Sequence, residues 1–178
     1  MSYAIQQWRL IMAADIFDRL KQDHDKHRDL IAQICETSGD SEERRSLFEA
    51  YKVDANAHAA AEEETLYATI MTMTDTRQDA QHSVKEHADL GMLFVELDEI
   101  EMSSSAWLTK FNTLAHDYVH HIDEEEEEKF PKAREVIDKA KAVELRDEFN
   151  ARKPEEIERV EAETDVPEIK KAIEEEAE

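Results

Sequence analysis

Two pairs of residues, His58 with Glu62 and His121 with Glu125, have the types and the spacing that most directly specify chemistry in this chain. Side chains four apart project from one face of a helix. Each pair also falls on an apolar stripe. Leu47, Phe48, Tyr51, Ala55 and Leu66 define the first, and Phe111, Leu114, Ala115, Tyr118 and Ile122 the second. An imidazole and a carboxylate carried into an apolar interior cost several kcal/mol unless something pairs or coordinates them. The bland alternative, two unrelated buried ion pairs at one height of the fold, requires more coincidences than metal ligation does.

Further histidines sort by the same 100° rotation per residue. Ile16, Phe17, Leu20, Ile31 and Ile34 set one face, and His24 and His27 lie within its arc. Leu90, Leu93, Phe94 and Leu97 mark another core side, with His87 on one flank, His82 on the other and Glu86 nearer the centre. His87 is taken as the ligand, with His82 and Glu86 in reserve. His116, His120 and the glutamates of the 124–128 run other than Glu125 read as a solvated face. Two inward carboxylates and the imidazoles of His24, His58, His87 and His121 suit two metal ions, bridged by Glu62 and Glu125 with the histidines terminal. Imidazole with carboxylate selects iron, manganese or zinc over calcium or magnesium, and the bridged pair favours iron. Cys35, near the apolar stripe, reads as a small buried hydrophobe.

The elements that must position these residues are helices. Gly39 and Gly91 are the only glycines, and Pro131, Pro154 and Pro167 all come late, so the first 130 residues lack the turn chemistry of sheets and barrels. Breaks at Ser38–Ser41, Thr74–Thr76 and Ser103–Ser105 separate helices expected over about 14–36, 42–72, 77–102 and 105–129. Short links make successive helices antiparallel neighbours, giving an all-α, up-down-up-down four-helix bundle. In that threading all six residues reach one layer. Pro131 is expected to stop the fourth helix, and residues 132–150 to form a short fifth helix on the bundle. Residues 1–13 read as an N-terminal lead-in, of which 1–11 could precede the true start at Met12. Residues 151–178 read as an acidic, mobile tail suited to a protein partner.

Composition narrows the partners. The 178 residues carry 45 Asp and Glu against 22 Lys and Arg, a net charge of −23 that repels phosphate backbones and anionic membranes and favours cations. A lone cysteine allows no internal disulfide, and the apolar patch from Trp8 to Ala14 is too short to span a bilayer. A cytoplasmic protein is expected, with no nucleic-acid or membrane partner.

Together these residues resemble the hemerythrin-like (HHE cation-binding) domains. The matching pieces are Asp23-His24, His58-Ala-Ala-Ala-Glu62-Glu-Glu, Glu86-His87, and the run from His121 through Glu124 and Glu125 to Phe130-Pro131. The match covers residues 14–150. It implies a non-haem di-iron centre of two iron ions, oxo- or hydroxo-bridged, with manganese or zinc as less favoured occupants. Glu62 and Glu125 would bridge, and His24, His58, His87 and His121 would be terminal ligands. Such a centre would bind dioxygen, nitric oxide or peroxide as a sensor, scavenger or carrier. The alternatives are a catalase-like enzyme that disproportionates peroxide, and an iron-handling or regulatory interaction module. One departure matters: oxygen-carrying hemerythrins have a further histidine one turn before His87, where this chain has Ser83. Water, hydroxide, His27, Glu86, Tyr51 or Tyr118 would complete that shell, and Gly91 leaves room nearby.

Overall fold

Asp15 begins the first helix: its backbone is extended and its side chain accepts the Asp18 N–H at 3.1 Å, satisfying one of the helix's open donors. In this computed structural model, which describes residues 14–164, helix α1 runs Ile16–Glu36. Gly39, at φ +63°, supplies the left-handed turn that follows. Ser41 caps α2 through Arg44 N–H at 3.1 Å. Helix α2 runs Glu42–Glu62, passes through a π-helical turn at Glu63–Tyr67 and ends with Ala68–Ile70. Helix α3 is Arg77–Asp98. Helix α4, capped by Ser104 on Trp107 N–H, runs Ser105–Glu124, passes a second π-turn at Glu125–Lys129 and continues as Phe130–Val136. Helix α5 is Lys139–Thr164. The chain is all-α among the described residues, a four-helix bundle with α5 laid along α1 and α2.

Three expectations are corrected. Pro131 does not stop the fourth helix. It follows a widened i→i+5 turn, closed by Phe130 N–H to Glu125 C=O, where its ring and missing N–H disturb a ladder that is already shifted. The fifth helix does not end near 150 but runs unbroken through Pro154 to Thr164, so residues 151–164 are not a loose tail. Its buried positions, Ala142, Leu145, Phe149, Lys153 and Glu156, keep the 3–4 spacing of one packed face. The expected lead-in, residues 1–13, and the rest of the expected tail, 165–178, lie outside the described residues. Cys35 is exposed, because Ile31 and Ile34 occupy the inward positions of that turn and Cys35 rotates past the edge of the face.

The core is split in two. At one end Ile16, Phe17, Leu20, Leu66, Tyr67, Ile70, Phe130, Leu145 and Phe149 pack together. At the other end Ile34, Phe48, Tyr51, Phe94, Leu97, Trp107, Phe111, Leu114 and Tyr118 do so, with the Trp107 and Phe111 rings stacked 5.1 Å apart. Each fully buried Leu, Ile or Phe contributes about 1.5–3 kcal/mol. This apolar packing offsets a layer of buried polar groups between the two ends: His24, His27, His58, Glu62, His87, His121 and Glu125. No helix among the described residues is long and apolar enough to cross a membrane.

Candidate metal centre

Four helices deliver six groups to the middle layer. Helix α1 brings His24, α2 brings His58 and Glu62, α3 brings His87, and α4 brings His121 and Glu125. The structure gathers these six predicted residues into one cluster, and its inner edge consists of imidazole Nε2 and carboxylate oxygen atoms. His24 Nε2 lies 3.4 Å from Glu125 Oε2, and His58 Nε2 lies 3.5 Å from Glu62 Oε2. His87 Nε2 is 3.0 Å from His121 Nε2 and 3.7 Å from Glu62 Oε2, and His121 Nε2 is 3.2 Å from Glu125 Oε1. Donor atoms of His87, His121 and Glu125 all fall within 4.8 Å of one another.

The outer edge is as ordered as the inner one. Each Nδ1 has its own carboxylate: His24 with Glu126 at 2.9 Å, His58 with Asp23 at 3.0 Å, His87 with Glu63 at 2.8 Å and His121 with Glu86 at 3.0 Å. A neutral imidazole has one donor and one acceptor nitrogen. A carboxylate on Nδ1 therefore keeps the proton there and leaves the Nε2 lone pair facing inward, the arrangement metal-binding histidines use. Cations back the carboxylates: Arg28 reaches Glu126 at 3.0 Å, Arg19 and Lys153 reach Asp23 at 2.6 and 2.8 Å, and Lys129 reaches Glu86 at 2.9 Å.

Electrostatics follow from this geometry. Burial pushes Glu62 well above the usual carboxylate range, and Glu125 beside it adds to the push. Burial acts the same way on Glu125, but His121, His24 and His87 outweigh it and hold that carboxyl at about 2. Burial lowers His58 to about 3 and also lowers His27 and His87. His121 goes the other way: burial opposes its charged form, yet Glu125 and Glu86 raise it.

Several side chains take places that helical periodicity did not assign. Tyr67, fully buried in the first π-turn, donates its phenolic O–H to Glu125 Oε1. Burial, then Glu125 and Glu62, hold its proton firmly. Ser83, the departure from the oxygen-carrying pattern, is buried beside this phenol. Tyr118 instead donates to His27 Nδ1 at 2.7 Å, and His27 Nε2 pairs with Asp54 at 2.8 Å. The His27 ring packs edge-on against His58 at 5.3 Å, so His27 and Tyr118 stand behind the cluster. Tyr51 is buried next to Tyr118 and makes no hydrogen bond. Glu86 holds His121, while His82 is half exposed, 3.3 Å from Glu86. Glu126, read from sequence as part of a solvated face, is instead the partner of His24.

Two hollows adjoin the layer. A cavity of about 10 Å³, room for one water, is bounded by Ala55, Asn56, Ala59, Leu90, Gly91, Phe94 and Tyr118 with the rings of His58, His87 and His121. A larger surface cleft of about 300 Å³ is lined by Glu86, Asp89, Asp117, His116 and His120, with His121 at its inner wall.

The donor set fits a metal. His24 Nε2, His58 Nε2, both oxygens of Glu62 and Glu125 Oε2 are buried and make no hydrogen bond, an uncommon concentration of unpaired polar atoms. A helical bundle with inward imidazoles and carboxylates on facing helices belongs to the class of cation-binding bundles. The hemerythrin HHE cation binding domain matches over residues 15–133, and the chain belongs to that family. Its fold is similar to the crystal structure of a hemerythrin HHE cation binding domain-containing protein from Mycobacterium kansasii. That likeness has a TM-score of 0.72 at 24% identity and covers 82% of this chain and 88% of that one. A curated protein from Nostoc sp. named DNA nickase is 26% identical over 139 residues, 78% of this chain and 39% of that protein. The chain therefore spans about two fifths of that relative's length.

Proposed function

We propose that the middle layer holds two iron ions through His24, His58, His87 and His121 with Glu62 and Glu125 shared between them. In this reading the centre binds a small ligand, dioxygen, nitric oxide or peroxide, as a sensor, scavenger or carrier. The observation that carries the reading is the common polarity of the four imidazoles: every Nδ1 is engaged by a carboxylate and every Nε2 turns toward Glu62 or Glu125. Iron would supply the redox change and the affinity for small ligands that no side chain here offers.

The chain's own residues do the rest. Glu126, Asp23, Glu63 and Glu86 orient the rings, and the two apolar ends exclude bulk water from the layer. Tyr67 fixes Glu125 through its O–H and, with Ser83 beside it, stands where the family pattern has a further histidine. The cavity at Gly91 limits a ligand to a few atoms. A charge of −23 opposes duplex DNA, so the reading rests on the metal layer and not on the nickase name of the Nostoc relative.

Metal analysis of protein purified without added metal tests this directly. About two irons per chain, with Glu62→Ala binding none, is the expected result. Zinc alone, or no metal after anaerobic addition of ferrous iron, overturns it. A second reading, turnover of hydrogen peroxide to dioxygen and water, is favoured by the Tyr67 phenol, a buried hydrogen-bond donor set directly on Glu125. It predicts oxygen evolution by the iron-loaded protein that falls in Tyr67→Phe, and no turnover above the metal-free protein would remove it.

A further inference from the structure

Helix α5 lies wholly outside residues 15–133, the span that matches the family, yet it reaches the back of the metal layer. Lys153 is buried at 5% exposure, a rare place for a lysine without partners. Its Nζ lies 2.8 Å from Asp23 Oδ2 and 3.0 Å from Asp54 Oδ1. Asp23 Oδ2 is the atom that also accepts His58 Nδ1–H, while Arg19 occupies the other oxygen. Lys153 and His58 therefore share one carboxylate oxygen, and the lysine fixes where that oxygen sits. Its second contact ties Asp54, the partner of His27, to the same ammonium, and the exposed end of that network is closed by Lys26 at 2.9 Å. One turn earlier Phe149 lies edge-on to the His58 ring at 5.7 Å and beneath the Arg19 guanidinium at 5.1 Å.

We propose that α5 is a working part of the metal centre and that Lys153 is a positioning residue, which holds Asp23 against His58 and so sets the affinity of the ion bound by His24 and His58. The inference rests on the two-metal reading above. Removing the ammonium leaves Asp54 to Lys26 and His27, and leaves Asp23 held by Arg19 on the far oxygen, so that Arg19 draws Asp23 away from His58. Partners that orient metal-bound histidines are worth 10–100-fold in metal affinity when lost. The two ions then separate in affinity, because His87 and His121 are oriented by Glu63 and Glu86, which Lys153 does not touch.

The test is titration of the full-length metal-free protein with cobalt(II), followed by visible absorbance. Lys153→Met is expected to bind one cobalt as the wild type does and the second at least 10-fold more weakly, with Lys153→Arg restoring it. A merely structural loss would weaken both sites alike and would not be rescued by arginine. Should Lys153→Met not fold, Asp54→Asn with and without Lys153→Met makes the same comparison with one fewer buried carboxylate. Two cobalt ions bound at wild-type affinity by the variant overturn this inference and leave the two-metal reading standing. Fewer than two ions bound by the wild type overturn both.

Discussion

The metal layer has a closed side and an open side. His24 and His58 are sealed, the first ring stacked 5.9 Å from Phe130 and the second walled by Phe149. Their carboxylates are locked by Arg19, Lys153 and Arg28. His87 and His121 are nearly as buried, but Glu63 behind His87 is 35% exposed against 20% for Glu126 behind His24, and the surface cleft reaches His121 alone of the four rings. Among the described residues one buried cation, Lys129, pairs with Glu86 on that side. The difference teaches how one bundle layer can combine retention with exchange. Charge-matched partners orient the ligands on one side, and a cleft lined by Glu86, Asp89 and Asp117 opens on the other.

The largest test of this division removes what the two sides share. Glu62→Ala takes away the carboxylate whose two buried oxygens make no hydrogen bond, and metal analysis should then find no bound metal. Next, Asp23→Asn on the closed side should cost about 100-fold in metal affinity, and Glu63→Gln on the open side about 10-fold, the two ends of the usual range. Equal losses in the two titrations would erase the distinction.

Acid should act on both sides of the layer. Burial lowers His58 to about 3 and also lowers His27 and His87. The unfolded chain takes up those protons near pH 6.5, so the stability they confer is present above that pH and drains away as pH falls toward 3. His121 has the opposite sign: its contribution is present below about 6.5 and is lost as pH rises through its raised value. Thermal unfolding of metal-free protein should therefore show Tm falling between pH 7 and 5, with a flatter profile in His27→Gln. The smallest effect belongs to Gly91→Ala. Its Cβ would meet Asn56 Oδ1 at 3.8 Å, an ordinary contact, so the helix should gain about 0.5–1 kcal/mol. Azide should then associate more slowly with the iron-loaded protein if the cavity at Gly91 is the approach.

Periodicity placed His24, His58, Glu62 and Glu125 on inward faces, but left His121 at the edge of its face and His87 on a flank with Glu86 nearer the centre. It failed immediately after each glutamate. The π-turns at Glu63–Tyr67 and Glu125–Lys129 insert one residue into the helical count, so a 100° wheel carried past Glu62 turns Tyr67 away from the layer it actually faces. The same phase shift hid the role of Glu63. On α5 the difficulty was compositional. Lys153 and Glu156 occupy core positions at helical spacing, but in a Glu-rich stretch they looked like solvent-facing charge until Asp23, Asp54 and Arg152 were seen to pair with them.

Chain order adds a temporal side to the position of Lys153. It is made 20 residues after Ala133, the end of the span that matches the family. At synthesis rates of about 5–20 residues per second, that separation is about 1–4 s. During that interval a growing chain already contains His24, His58, His87 and His121 but not the lysine that steadies Asp23. The clasp on the closed side is thus the last part of the centre to leave the ribosome.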